Sequence, residues 1–342
     1  MTQSAKAQVV IVDGKQHNSG DDFAPERSRW DELGLETRAT GCVSESDLIT
    51  ECSNSEILVY LGLDIPFTAH VLNALTQCRL VVRYGIGMDS VDIPAATANG
   101  IVVANAAEYC VREVADHAAA LILNLARRIS VLDRFVHEGN WLGALDITGP
   151  VPRLSTQTVG LVGFGRISRQ VATNLKPFFG TILAHDPYLT QSQADPYGVQ
   201  LVPLDELVEQ ADFVSVHTPL IPETEGLIGA EQFERMKKTA YVVNTSRGPV
   251  IDESALIAAL TNNQIAGAAL DVVATEPLPR EHPLRDLDNV ILTPHFSYHS
   301  IQANEDLRES VIATVADVAQ GYWPRHVMNP TVQPRSPLQR RE

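Results

Sequence analysis

Three polar side chains stand just past short apolar runs in the second half of the sequence. They are Arg247 in Asn244-Thr245-Ser246-Arg247-Gly248-Pro249, Glu276 in Ala274-Thr275-Glu276-Pro277-Leu278, and His295 in Leu292-Thr293-Pro294-His295. A guanidinium offers a planar fork of donors to a carboxylate, an imidazole gives or takes a proton near neutral pH, and a carboxylate can hold that imidazole's charge. Such a set suits reduction of a carbonyl beside a carboxylate, where the oxygen that becomes negative needs a proton. Each residue alone also has a plain reading: a paired surface arginine, a solvated glutamate before a turn proline, one more histidine among ten.

A source of hydride is indicated upstream. Thr158-Val159-Gly160-Leu161-Val162 runs into Gly163-Phe164-Gly165-Arg166-Ile167-Ser168, and a helical pattern with Val171, Ala172 and Leu175 follows. In a strand, turn and helix of this kind, Gly163 permits the tight turn and Gly165 lets a pyrophosphate approach the backbone. The helix N-terminus, beginning with Arg166 and Ile167, then presents free N–H groups. Ser168 departs from the pattern, which asks for Gly or Ala. Asp186 ends the next apolar run, where a carboxylate accepts from both ribose hydroxyls and repels a 2′-phosphate, so NAD is expected over NADP. Asp186-Pro187 is also an ordinary turn pair.

The elements that must position these residues are strands alternating with helices. Continuous Val/Ile/Leu runs at 9–12, 57–61, 80–82 and 101–103 read as buried parallel strands, with a helical segment at 69–75. One long helix is expected over 112–137, then an irregular arm over 141–153 with Gly143, Gly149, Pro150 and Pro152. Six further strands are expected at 158–162, 182–184, 213–216, 241–244, 268–270 and 290–292, then a helix over 301–319 and a mobile polar tail from 333. Arg247, Glu276 and His295 all follow carboxyl ends of strands, where open α/β sheets bind their ligands.

Composition narrows the partners. The 342 residues, 44% hydrophobic and 20% charged, suffice for two folded domains. A net charge of −16 opposes nucleic-acid backbones and anionic lipid, so neither nucleic acid nor a membrane surface is an expected partner. Cys42, Cys52, Cys78 and Cys110 form no CxxC pair or Cys/His cluster, so neither a disulfide framework nor a metal site is expected. No signal-peptide pattern or spanning stretch is present, which reads as cytoplasmic.

On these segments the chain resembles the D-isomer-specific 2-hydroxyacid dehydrogenases over nearly its whole length. The shared segments include Arg83-Tyr84-Gly85-Ile86-Gly87-Met88-Asp89, Glu113-Val114-Ala115-Asp116-His117, the glycine fingerprint, Val216-His217-Thr218-Pro219-Leu220, and those holding Arg247, Glu276 and His295. The resemblance implies His295 as acid/base, Glu276 as the carboxylate that holds it and raises its pKa, and Arg247 on substrate carboxylate and carbonyl. It implies that backbone N–H groups of Tyr84, Gly85, Ile86 and Gly87 meet the substrate carboxylate, and that Asp271 touches the nicotinamide carboxamide. His217, Thr218, Pro219 and Thr245 would line the cofactor.

The implied fold is α/β with two doubly wound parallel-sheet domains. A Rossmann-type nucleotide domain (107–296) would be inserted into a flavodoxin-like substrate domain (1–106 and 297–342). A homodimer through the 141–153 arm and its flanking helix is implied as well. Within the family, His295-Phe296-Ser297-Tyr298-His299-Ser300 and the 107–117 stretch are most similar to the C-terminal-binding-protein and phosphoglycerate-dehydrogenase branches. Tyr298 would set an aromatic wall near the substrate.

The expected activity is hydride transfer between NAD(H) and a small 2-keto or D-2-hydroxy acid. The alternatives are an NAD(H)-sensing binding protein of the C-terminal-binding-protein type and a dehydrogenase of another small anion such as phosphite. Formate-oxidising relatives carry Gln where this chain has Glu276, which disfavours formate.

Overall fold

The computed structural model describes residues 8–13, 23–62 and 65–341. The chain divides into two compact units, Met1–Tyr109 with Ser300–Glu342, and Cys110–His299.

The first unit is built on β1 (Gln8–Asp13), β2 (Glu36–Gly41), β3 (Ile57–Tyr60), β4 (Leu80–Arg83) and β5 (Val102–Asn105). They pair in parallel in the order β2-β1-β3-β4-β5, the flavodoxin-like order. Successive side chains of a strand point to opposite faces, and both faces are covered here. Val9, Ile11, Val59 and Val82 pack with Leu307, Val311 and Val315 of the helix Ile301–Ala319. Val10, Val12, Leu58 and Val81 pack with Leu48, Val71 and Leu72 from the helices Glu45–Cys52 and Ala69–Ala74.

The polar tail expected to be mobile from 333 on is, over residues 335–339, docked on this unit. Arg335 donates from Nη1 to Leu75 O (2.6 Å) and Cys78 O (2.7 Å) and from Nε to Asn99 O (2.7 Å). Its own N–H reaches Gly100 O at 3.0 Å, and Gln339 N–H reaches Gly321 O at 2.8 Å. One guanidinium thus caps carbonyls left over at two chain reversals, which a polar composition does not reveal.

The second unit carries β6 (Thr158–Val162), β7 (Thr181–His185), β8 (Gln200–Leu201), β9 (Phe213–Val216), β10 (Tyr241–Asn244), β11 (Gly267–Leu270) and β12 (Val290–Leu292). Their order is β12-β11-β10-β9-β6-β7-β8, parallel throughout. The six expected strands are present, and β8 extends the edge. Strand order reverses between β6 and β9, the crevice at which such sheets take a dinucleotide. Ala115, Leu121 and Ile122 of the helix Val111–Arg127 pack with Val171, Ala172 and Leu175 of the helix Arg166–Leu175 on one face. Leu207, Leu256 and Leu260 cover the other.

The single helix expected over 112–137 is two helices. Arg128 adopts a left-handed backbone (φ 59°) between Val111–Arg127 and Ile129–His137, and Asn124 Oδ1 accepts from Ser130 N–H at 2.9 Å. A side-chain acceptor six residues back takes the amide that the broken helix frees.

Candidate functional site

At the end of β6 the chain must turn sharply into a helix. Gly163 does so at φ 85°, and a Cβ there would lie 2.9 Å from Thr218 Cγ2 and 3.1 Å from His217 O. Gly165 is the N-cap of Arg166–Leu175 and supplies no side-chain cap, so the first amides of that helix, from Arg166 and Ile167 on, face outward. A Cβ on Gly165 would meet nothing within 4 Å, which leaves open the space a phosphate needs. Ser168 is fully buried, and its Oγ has no hydrogen-bond partner among the described residues.

Asp186, half-buried just beyond β7, accepts from Phe164 N–H at 3.0 Å and Tyr188 N–H at 3.0 Å, which ties the carboxylate to the glycine turn. After β9, His217 Nε2 lies 2.9 Å from Ser215 Oγ, and burial pulls the imidazole pKa down from 6.5 to about 4. Pro219 is exposed, and its carbonyl accepts from Thr224 Oγ1 at 2.6 Å. Among the described residues the buried hydroxyls of Thr218 and Thr245 have no partner, as groups awaiting a ligand would. The turn, the uncapped helix end, the strand-end carboxylate and these two hydroxyls fit a dinucleotide.

His295 and Glu276 meet directly: His295 Nδ1 and Glu276 Oε2 are 2.6 Å apart, with side-chain exposures of 29% and 34%. The other carboxylate oxygen of Glu276 accepts from Val273 N–H at 3.1 Å, so the glutamate is fixed at both oxygens. Nδ1 being engaged, Nε2 is the ring atom left to face a reactant. His295 has a left-handed backbone (φ 52°). Its N–H donates to Asp271 O at 2.8 Å.

Arg247 follows β10, half-buried, with Nη1 donating to Ser246 O at 2.7 Å. Its own carbonyl accepts from Asn244 Nδ2 at 2.9 Å. Gly248 beside it lies against the chain carrying Glu276, because a Cβ there would sit 2.0 Å from Val273 O. Close backbone approach thus sets the arginine loop on the glutamate loop.

Asp271, expected at the nicotinamide, is 2% exposed and its carboxylate is committed inside the protein. Oδ1 accepts from Thr293 Oγ1 (2.6 Å) and Phe296 N–H (2.9 Å), and Oδ2 from Ser297 N–H (3.0 Å). Burial pushes its pKa up, but the Thr293 hydroxyl and the amides of Phe296 and Ser297 together hold it below the usual carboxylate range. His117 Nε2 lies 3.2 Å from Thr293 Oγ1. Sequence reasoning gave His117, Thr293 and Ser297 no role, and no spacing rule joins residues so far apart. Phe296 (50% exposed), Tyr298 and His299 form an aromatic group beyond the histidine, with Phe296 and His299 ring centroids 4.6 Å apart.

In the first unit, the loop after β4 contains Tyr84, Gly85, Ile86 and Gly87. Tyr84 Oη donates to the buried Glu26 Oε1 at 2.6 Å, and burial with that carboxylate pushes the phenol pKa up. The loop is held through its carbonyls: Gly85 O accepts from Ala106 N–H at 3.0 Å, and Ile86 O from Asn105 Nδ2 at 2.7 Å. The Tyr84 amide, expected at the substrate carboxylate, donates instead to Tyr60 O at 2.8 Å, whereas among the described residues the amides of Gly85, Ile86 and Gly87 donate to no protein acceptor.

Among the described residues, no group of three His, Cys, Asp or Glu could hold a metal ion, and no helix is long and apolar enough to cross a membrane.

Comparison with known proteins agrees with this geometry. The family described as D-isomer specific 2-hydroxyacid dehydrogenase, NAD binding domain, matches residues 119–297. A glyoxylate reductase of Korarchaeum cryptofilum is 39% identical over 297 residues, 84% of this chain and 87% of that protein. A D-3-phosphoglycerate dehydrogenase of Synechocystis is 39% identical over 84% of this chain, which spans only 52% of that relative's length. Among solved structures, D-lactate dehydrogenase of Aquifex aeolicus, complexed with NAD and lactic acid, superposes with a TM-score of 0.81 at 26% identity. That match covers 92% of this chain and 96% of the other.

Proposed function

Because the chain belongs to the D-isomer-specific 2-hydroxyacid dehydrogenase family, we propose that it passes hydride between NAD(H) and a small 2-keto or D-2-hydroxy acid, with His295 as acid/base. The observation that carries this reading is the 2.6 Å contact between His295 Nδ1 and Glu276 Oε2. Bound NADH supplies hydride to the carbonyl carbon. The chain does the rest. Arg247 pairs with the substrate carboxylate and draws negative charge onto the carbonyl oxygen. Glu276 holds the imidazole ring by Nδ1, and Nε2 delivers the proton that the oxygen takes up. In the oxidative direction the same nitrogen removes it. Asp186 favours NAD because its carboxylate would repel a 2′-phosphate. In the first unit, taken alone, the three unengaged amides of Gly85, Ile86 and Gly87 suit a carboxylate.

Glyoxylate and hydroxypyruvate are the first acids to test, given the glyoxylate reductase relative, and 3-phosphoglycerate is tested in reverse. NADH absorbance is followed across a panel of 2-keto acids. Wild type turns over, and His295→Ala is slower by roughly 10²- to 10⁴-fold. A panel without turnover, or a His295→Ala enzyme as fast as wild type, overturns the reading.

All four cysteines are buried and none is in a disulfide, which goes with a reducing, cytoplasmic location. Trp141, Leu142 and Leu145 are 79%, 88% and 82% exposed, and this apolar arm suits a homodimer.

A further inference from the structure

We propose that His117 is a positioning residue for the reaction, acting through Thr293 and Asp271 on the backbone that carries His295; this rests on the dehydrogenase reading above. The Thr293 hydroxyl has one proton, and at 2.6 Å from Asp271 Oδ1 that proton goes to the carboxylate. The 3.2 Å contact between Thr293 Oγ1 and His117 Nε2 is therefore a hydrogen bond in which the imidazole N–H donates. Its direction fixes a proton on Nε2 of His117, and the relay reads His117 to Thr293 to Asp271.

The last member holds the loop. Asp271 takes three consecutive amides: His295 N–H on its carbonyl (2.8 Å), Phe296 N–H on Oδ1 (2.9 Å) and Ser297 N–H on Oδ2 (3.0 Å). His295 needs that grip, because φ 52° is a conformation that residues with side chains rarely adopt. The backbone angle aims the imidazole at Glu276, so whatever fixes the carboxylate of Asp271 fixes the acid/base. With its proton given to Asp271, the Thr293 oxygen still accepts, and the donor on His117 holds it from the other side. His117 stands on the helix Val111–Arg127, whose Ala115, Ala118, Leu121 and Ile122 are buried in the core, so the relay starts from a rigid element.

The plain alternative is that His117 merely fills space. Three variants separate the two readings. His117→Leu removes the donor, His117→Gln keeps an N–H near the position of Nε2, and Thr293→Val breaks the relay at its midpoint with little change of shape. We expect His117→Leu and Thr293→Val each to lower kcat roughly 10-fold or more, since misplacement of about 1 Å costs up to 10²-fold. The KM for NADH is expected to stay within about twofold, and the double variant to be no worse than either single one. Restored kcat is expected for His117→Gln. Hydrogen exchange at the amides of Phe296 and Ser297 should quicken in His117→Leu and recover in His117→Gln, a readout that does not depend on turnover. If wild type is active and His117→Leu matches it, or if Leu and Gln are equally slow, or if exchange at 296–297 does not change, the inference falls alone. An inactive wild type removes the dehydrogenase reading and this inference together.

Discussion

Glu276 spends one oxygen on His295 Nδ1 and the other on Val273 N–H, so a Gln of the same shape would have to turn an amide donor toward one of two donors. Loss of a charged hydrogen bond of about 1.5–3 kcal/mol predicts a kcat/KM for Glu276→Gln roughly ten- to hundredfold down, read by steady-state kinetics. Ser168 presents the opposite case, a buried hydroxyl without a partner among the described residues. Ser168→Ala restores the residue type the glycine turn usually carries and is expected to raise stability by about 1 kcal/mol in denaturant titration. His217 gives a pH dependence. Its folded pKa of about 4 lies below the unfolded value of 6.5, so between these the unfolded chain binds a proton that the folded chain refuses. Stability attributable to it is present above 6.5 and is lost as pH falls toward 4, and a His217→Gln enzyme should show a shallower fall in Tm over that window. At this scale the contact between His295 and Glu276 is one that the family resemblance implies, while placement after strand ends indicates only a shared edge of the sheet. The commitment of Asp271 to the 293–297 segment and its link to His117, 176 residues from Thr293, could not be anticipated, since only the folded chain brings these groups together.

Elements were legible wherever burial leaves a mark on composition. β3, β4, β5, β9 and β10 are buried at every position and read as continuous apolar runs. β2, Glu-Thr-Arg-Ala-Thr-Gly with no buried residue, and the two-residue β8 are sheet edges, where one side faces solvent and the apolar signal disappears. The break at Arg128 leaves no mark in composition for a different reason: the apolar spacing continues across it, and a left-handed arginine has no sequence signature. Two glycines let the element-level account be tested. A Cβ on Gly248 would lie 2.0 Å from Val273 O and 2.1 Å from Val273 C, backbone against backbone, with no rotamer to relieve it. Gly248→Ala must push the Arg247 loop off the Glu276 loop, and both a loss of about 1–3 kcal/mol and a fall in kcat/KM are expected. Gly165→Ala meets no protein atom within 4 Å, so its Tm should match wild type while NADH titration shows weaker binding, the methyl group occupying the phosphate's approach.

For the molecule as a whole, the net charge of −16 and the exposed arm pull in opposite directions. Two copies repel each other at long range, so any association must come from apolar burial at short range. The arm offers that surface. The helix Ile129–His137 has no buried residue, Ile129 and Val136 are 56% and 45% exposed, and Trp141, Leu142 and Leu145 continue the same exposed apolar chain. Added salt screens the repulsion, the Debye length falling from about 10 Å at 0.1 M to roughly 3 Å at 1 M, and it leaves apolar contacts intact. A homodimer held through the arm should therefore tighten as salt rises, the reverse of an assembly held by ion pairs. Replacing Trp141 and Leu142 together by Glu puts charge into the apolar surface, and this variant should sediment as a monomer at every salt concentration while retaining the wild-type Tm at low protein concentration. A wild type that sediments as a monomer at about 1 M salt, or a dimer that survives the double substitution, would assign the arm to something other than a second copy of the chain.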